Sequence, residues 1–327
     1  MLYEQLLQLP KIDLHCHIDG SFSIDFVKRT LKSNLSYDAL SAKLTAPALC
    51  SGLTEYLRCF DLPIACMQTP SDIISGILDI LESCSKENIR YIELRFAPTC
   101  SVNSVQNYSD IYDALIQAKQ LGLEKYGIYC NFIICAMRHH TLQDNLQMLR
   151  TGREYLEAGI CAMDLAGDEN IHGNSEFIDL FREAKRINMP FTIHSGECGS
   201  IENVKIALEA GARRVGHGIA LAKSPILVAD CKRAKLGLEL CPTSNYQTKA
   251  VQSGEYYPLK YFLENGLLAT VNTDNRTVSN TTMTNEYLFV CNEHGITEDN
   301  LITLYKNSLE ISFADDNIKH HLLSLVN

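Results

Sequence analysis

The sequence predicts a single (β/α)₈ barrel, and three observations lead there. Strand-like and helix-like runs alternate from residue 90 to residue 272. The strand runs are short and continuously apolar, as in Asn131-Phe-Ile-Ile-Cys-Ala-Met137, a pattern that marks burial on both faces. Counting the run at 11–20, eight strands fit into 327 residues. Strands separated by helices run parallel, because parallel neighbours need a crossover, and eight such units over this length suggest a closed barrel. An open doubly wound sheet is the other reading, but it favours a Gly-x-Gly-x-x-Gly turn after the first strand. None is present there. No linker-like shift in composition, repeat or low-complexity stretch divides the chain, so residues 1–327 read as one domain.

The first strand is Lys11-Ile-Asp-Leu-His-Cys-His-Ile-Asp-Gly20. Residues 22–87 are expected to be mostly helical, with breaks at Leu62-Pro63 and Thr69-Pro70, and form an insertion that covers the barrel mouth as a lid. Ser71-Asp72 before Ile73, Ile74, Ile77, Leu78 and Leu81 has helix-start chemistry and 3.6-residue spacing. Arg90 to Pro98 is the second strand. Six helix–strand units follow: Tyr108 to Tyr126 then Ile128 to Met137, Thr141 to Ala158 then Ile160 to Leu165, and Glu176 to Ile187 then Pro190 to His194. The remaining three are Ile201 to Ala210 then Arg214 to His217, Ala222 to Ala234 then Leu236 to Leu240, and Pro258 to Asn265 then Leu268 to Asn272. Gly127, Gly159, Gly211 and Gly266 stand where C-caps are expected. Residues 276–327 supply C-terminal helices.

Composition narrows the partners. The chain is 46% apolar and 21% charged with mean hydropathy near zero, as in an ordinary globular protein. A net charge of −10 argues against nucleic-acid backbones and anionic membranes and suits a small neutral or cationic ligand. No apolar run approaches a membrane span, and the N-terminus lacks the basic region and cleavage site of a secretory signal. Thirteen cysteines, an odd number without a Cys-x-x-Cys pair, are neither a disulfide framework nor a zinc ribbon. The expected compartment is a reducing cytoplasm.

Barrel enzymes carry their reacting groups at the C-terminal ends of strands. Four of the ten histidines fall there: His15, His17, His194 and His217. The eighth strand adds Asp274. Residues two apart on a strand share a side, so His15 and His17 aim at one point while Cys16 faces the helices. A pair of half-buried strand histidines is the plainer reading of His-x-His alone. Three imidazoles and a carboxylate at one mouth instead make a divalent-metal site with room for water. Glu197 follows His194 by three residues and can face the pocket without sharing that ligand's direction. His139, His140, His172, His294, His320 and His321 lie in loops or helices and read as surface or structural.

Five segments resemble those of the adenosine deaminase family, metal-dependent amidohydrolase barrels. They are Leu14-His-Cys-His-Ile-Asp-Gly-Ser21, Asp164-Leu-Ala-Gly-Asp168, His194-Ser-Gly-Glu197, Gly216-His-Gly218 with Glu239-Leu-Cys-Pro-Thr-Ser-Asn245, and Asn272-Thr-Asp-Asn275. Their order and spacing match over essentially the whole chain. The resemblance implies one Zn²⁺ held by His15, His17, His194 and Asp274, Glu197 as proton donor to purine N1, and His217 as the group that orients the reacting water and takes its proton. It also implies a ribose contact from Asp19, a purine N3 contact from the backbone of Gly167, Ser244 near the site, and Asp164 as a buried partner. Tyr56, Leu57 and Phe60 are either the apolar lid face or plain core. Many relatives have a second Asp where this chain has Asn275, expected to meet purine N7; an Asn N–H can donate there without prior protonation. The absence of Trp, with Thr243-Ser244-Asn245 after Cys241-Pro242, is similar to the bacterial branch.

The implied reaction is hydrolytic deamination of adenosine or 2′-deoxyadenosine to inosine or deoxyinosine and ammonia, a step of purine salvage, with adenine or a modified adenosine as the alternative substrate. A binuclear amidohydrolase would need a bridging lysine on the fourth strand, which here ends Asp-Leu-Ala-Gly-Asp. A non-catalytic relative would lack a ligand or the acid, and neither is missing. Ligand type leaves Fe²⁺, Mn²⁺ or Co²⁺ open beside zinc.

Overall fold

The computed structural model describes residues 1–252 and 254–326. Eight strands are present: β1 (Lys11–His17), β2 (Ile89–Phe96), β3 (Tyr129–Met137), β4 (Ile160–Ala166), β5 (Thr192–Ser195), β6 (Arg214–His217), β7 (Gly237–Leu240) and β8 (Leu268–Val271). They pair in chain order, all parallel, as two four-stranded ladders, β1 to β4 and β5 to β8. The halves meet at two seams. Met163 N donates to Pro190 O at 2.9 Å between β4 and β5. At the other seam His17 N donates to Asp274 O (2.7 Å) and Asp274 N to His15 O (2.8 Å), so the barrel closes through three of the residues singled out for metal binding.

Helices Tyr108–Tyr126 and Ile201–Ala210 have the bounds the sequence suggested. Asn107 caps the first by accepting from Ser109 N and Asp110 N, and Gly127 ends it in the left-handed region. Other boundaries differ for local reasons. Thr69, not Ser71, caps Pro70–Ser85, because its hydroxyl accepts from Asp72 N. The expected helix to Ala158 stops at Arg153, and Glu157 rather than Gly159 takes the left-handed turn that follows. Ser224-Pro225 splits the stretch 219–234, since Ser224 caps Pro225–Ala234 and proline fits a first helical position. The short helices Tyr3–Gln8 and Pro242–Gln247 were not foreseen.

The barrel interior also departs from an all-apolar filling. Glu93 and Arg95 of β2, Arg214 of β6 and Glu239 of β7 are fully buried and mutually paired. Leaving one of these charges unpaired would cost about 3–5 kcal/mol. Helix Glu298–Ile311 packs against β8 and β1, and the chain beyond it reaches the charges: Arg214 Nη1 donates to Ile311 O and Phe313 N to Glu93 Oε1. The C-terminal helices thus seal the end opposite the β-strand C-termini. At the mouth the lid is narrower than expected. Only Leu53 to Ile64 of the 18–87 insertion, apart from Asp19, faces the cavity, whereas Pro70–Ser85 is the crossover helix between β1 and β2 and packs on Tyr108–Tyr126. Among the described residues no helix is long and apolar enough to cross a membrane, and all thirteen cysteines are free.

Candidate metal centre and active site

One donor atom each from His15, His17, His194 and Asp274 lies within 4.8 Å of every other. His17 Nε2 is 3.3 Å from His194 Nε2, and Asp274 Oδ1 is 3.3 Å from His15 Nε2 and 3.5 Å from His17 Nε2. Ligands about 2.0–2.1 Å from a tetrahedral zinc stand roughly 3.3 Å apart, and these three spacings are close to that value. His15 Nε2 is buried with no hydrogen-bond partner, as a ligand nitrogen would be before its ion arrives. Two carboxylates turn the imidazoles inward. His15 Nδ1 is 2.7 Å from Glu239 Oε2 and His194 Nδ1 is 2.8 Å from Asp164 Oδ2, arrangements that fix the ring and raise ligand basicity. Arg95 bridges both carboxylates, donating to Asp164 Oδ2 (3.0 Å) and Glu239 Oε2 (2.8 Å).

Asp274 and His217 both have positive φ, about 60° and 61°. For non-glycine residues this is a costly backbone, tolerated where the surroundings impose it. At Asp274 the two seam hydrogen bonds impose it. Cys16, between the two histidines, is buried on the helix side and takes no part.

A cavity of about 420 Å³ opens above the cluster, lined by His17, His194, Glu197, His217 and Asp274. Asp19, Gly167 and Asn275 also line it, as do Tyr56, Leu57 and Phe60. The last three were open between lid and core; all face the cavity, and Tyr56 also packs with Ala46, Cys50 and Cys59. Ser244 is buried with an unpartnered Oγ but does not line the cavity. His139 and His172, read from sequence as surface or structural, stand in its wall, His172 within 2.9 Å of Glu176.

Glu197 is 7% exposed. Burial pushes its carboxyl well above the usual carboxylate range, the charges of Asp274, Glu169 and Asp168 add to this, and Arg138 opposes it. Burial and these charges favour the protonated form of the side chain, the form of an acid. His217 Nε2 is 3.6 Å from Glu197 Oε2, and burial holds its imidazole well below its ordinary range, so the ring is neutral. Asn245 Nδ2 lies 3.0 Å from His217 Nδ1, while Asn245 Oδ1 accepts from Tyr257 Oη at 2.9 Å. In this amide orientation Asn245 Nδ2 donates to Nδ1, an arrangement that matches the tautomer with its ring hydrogen on Nε2, on the cavity side. Burial lifts the Asp19 carboxyl to about 7, and its Oδ1 has no partner. Asn275 Oδ1 packs on Gly20 so closely that a Cβ there would fall 1.8 Å away.

Sequence reasoning left out Arg95, Glu169 and Tyr257, and gave Glu239 and Asn245 no role although both sit in quoted segments. Alternation along β2 places Arg95 on the side of Glu93, facing inward; that was the available signal.

Comparisons with known proteins bear on this arrangement. The family model for adenosine deaminase matches residues 10–327. An adenosine deaminase of Vibrio atlanticus is 37% identical over 326 residues, covering 98% of each chain. A solved amidohydrolase from Burkhoderia ambifaria with bound Zn superposes with a TM-score of 0.88 at 20% identity, covering 99% of this chain and 91% of that one. The adenine deaminase of Arthrobacter aurescens has a TM-score of 0.88 at 22% identity, covering 97% and 98%.

Proposed function

The chain belongs to the adenosine deaminase family, and from that premise we propose that it deaminates adenosine and 2′-deoxyadenosine at the cavity above the His15, His17, His194 and Asp274 cluster. It is a hydrolytic enzyme of the metal-dependent kind. The donor set suits one Zn²⁺, which when bound supplies Lewis-acid activation of water, lowering its pKa from about 15.7 to about 7. Glu197 gives its proton to purine N1, which makes C6 electrophilic. Neutral His217 holds the attacking water through Nε2–H. With the Asn245 amide turned so that Oδ1 meets Nδ1–H, Nε2 takes the proton the water loses as its oxygen bonds to C6; that proton passes to the amino nitrogen as the C6–N bond breaks and ammonia leaves, and the remaining hydroxyl proton returns to Glu197. Asp19 accepts from, or when protonated donates to, a ribose hydroxyl; the Gly167 backbone meets N3; the Asn275 amide donates to N7. Tyr56, Leu57 and Phe60 cover the sugar and base and exclude water.

The observation that carries this reading is the buried Glu197 carboxyl, pushed toward its protonated form by burial, facing the same cavity as four converging groups that could hold a metal. A proton donor beside an activated water is what deamination of an aminopurine needs. Adenine as substrate is the second reading, favoured only by the likeness to an adenine deaminase fold. Free cysteines suit a reducing compartment such as the cytoplasm. The test is a panel of adenosine, deoxyadenosine, adenine and a 5′-thioether of adenosine, with metal content measured on the same sample. Fastest turnover of the two plain nucleosides is expected; adenine as the preferred substrate would overturn the assignment.

A further inference from the structure

We infer that Glu169 is the positioning residue for the acid Glu197, setting where its carboxyl meets the purine. This rests on the reading of Glu197 as the proton donor. Glu169 is 4% exposed and is itself neither one of the candidate metal donors nor a residue of the cavity lining. Its two oxygens take four N–H donors. Oε1 accepts from Gly196 N (2.7 Å) and Asn203 Nδ2 (2.8 Å), and Oε2 accepts from Glu197 N (3.0 Å) and Cys198 N (3.4 Å). Three of the four are successive backbone amides of the turn that carries Glu197.

Besides this clamp the turn is held on its carbonyl side, where Gly218 N donates to Ser195 O (3.1 Å) and Ala220 N to Gly196 O (3.0 Å), while Glu169 takes its N–H side. The turn leaves β5 at Ser195, and Gly196 has a φ of +75° that side chains rarely adopt. Helix Ile201–Ala210 begins only after Cys198-Gly199-Ser200. Successive amides pointing one way form a concave anion site, and here the anion is a side chain of the same molecule. The clamp is itself braced. Asn203 Oδ1 accepts from Asn174 N (2.9 Å), Asn174 Nδ2 donates to Ser195 Oγ (2.8 Å), and Arg138 donates to Asn174 Oδ1 (2.8 Å) and His194 O (2.7 Å). The loop after β4 thereby registers the loop after β5. Glu169 also places a negative charge beside Glu197, which favours the protonated acid.

Glu169→Gln keeps the shape but turns an amide N–H toward backbone N–H groups that need an acceptor. Displacing the acid by a fraction of an ångström to an ångström costs turnover on the order of 100-fold. The experiment is a double-mutant cycle with Glu197→Gln, using adenosine turnover, inosine affinity and bound metal per chain. Expected are a loss of about 100-fold in kcat for Glu169→Gln in the wild-type background and less than about threefold in the Glu197→Gln background, because one acid is lost only once. Inosine affinity and metal content stay near wild type. Equal fold-losses in both backgrounds, a near-wild-type kcat for Glu169→Gln, or loss of metal in step with activity would overturn the role. Should Glu169→Gln fail to fold, Glu169→Asp, which keeps the charge but shortens the reach, enters the same cycle with the same expected pattern. A wild type inactive on adenosine, or a Glu197→Gln variant within tenfold of it, overturns the underlying reading instead.

Discussion

Burial is the largest influence on the Glu197 carboxyl, ahead of any single neighbour, and this decides how the rate depends on pH. An acid whose pKa is raised is protonated and competent below that pKa and loses its proton as pH rises through it. The kcat profile is therefore expected to fall on its alkaline side, at a pH well above the ordinary carboxylate range. Asp168→Asn removes one of the charges that raise the acid, so the alkaline limb moves to lower pH; a limb that stays put, or moves up, contradicts the assignment. Gly20 is a second residue with a sharp consequence. In Gly20→Ala the new Cβ would lie 1.8 Å from Asn275 Oδ1, so Asn275 has to shift. Steady-state kinetics should show KM rising on the order of tenfold with a smaller change in kcat, the mark of lost ground-state binding.

Among the elements, β2 and the short helix Leu53–Leu57 are tied to the site most directly. Arg95 on β2 neutralises both carboxylates that orient His15 and His194. Partners one shell out from a metal typically affect affinity 10–100-fold. Arg95→Gln should weaken metal binding by about that factor in a chelator competition, and unchanged affinity would mean the two histidines are held by backbone alone. The helix Leu53–Leu57 is tethered through Tyr56 Oη to Ser279 Oγ at 2.6 Å, in the loop beyond β8. Tyr56→Phe removes that tether and keeps the ring over the cavity, so KM should rise several-fold; a fall in kcat with unchanged KM would place the residue in the chemistry instead.

For the molecule as a whole, the proposed metal donors come from β1, β5 and the end of β8, so an ion held by them would link the two four-stranded halves. An ion that binds only the folded chain adds about 4 kcal/mol when present at 1,000 times its Kd. Chelation should lower the melting temperature by several degrees, reversibly on adding Zn²⁺, and an unchanged melting curve would show that the seam needs no ion. The parts of this architecture legible in the sequence were those written in a local code. Short apolar strands and helix spacing located the barrel, and histidines at strand ends together with Asp274 named four residues whose donor atoms the fold brings within 4.8 Å of one another. The buried charges were not legible, because Arg95, Arg214, Glu93 and Glu239 sit in strands that look only mildly polar, and their pairing joins residues as far apart as 95 and 239. The lid was overdrawn for a related reason: helical spacing marks an apolar face without saying whether it meets the barrel or the cavity. Glu169 was one residue past a recognised segment, and its role exists only once the loops after β4 and β5 meet.

The central claim is that one metal cage and one protonated carboxyl together deaminate a purine nucleoside. Turnover of adenosine, followed by the change in ultraviolet absorbance as inosine forms, and metal content should be measured on the same preparations of wild type and Glu197→Gln. The account predicts one metal per chain in both, rapid turnover in the wild type, and a loss on the order of 10²–10⁴-fold in the variant. A wild type that binds metal and leaves adenosine unchanged, or a variant that keeps its turnover within tenfold, would contradict it.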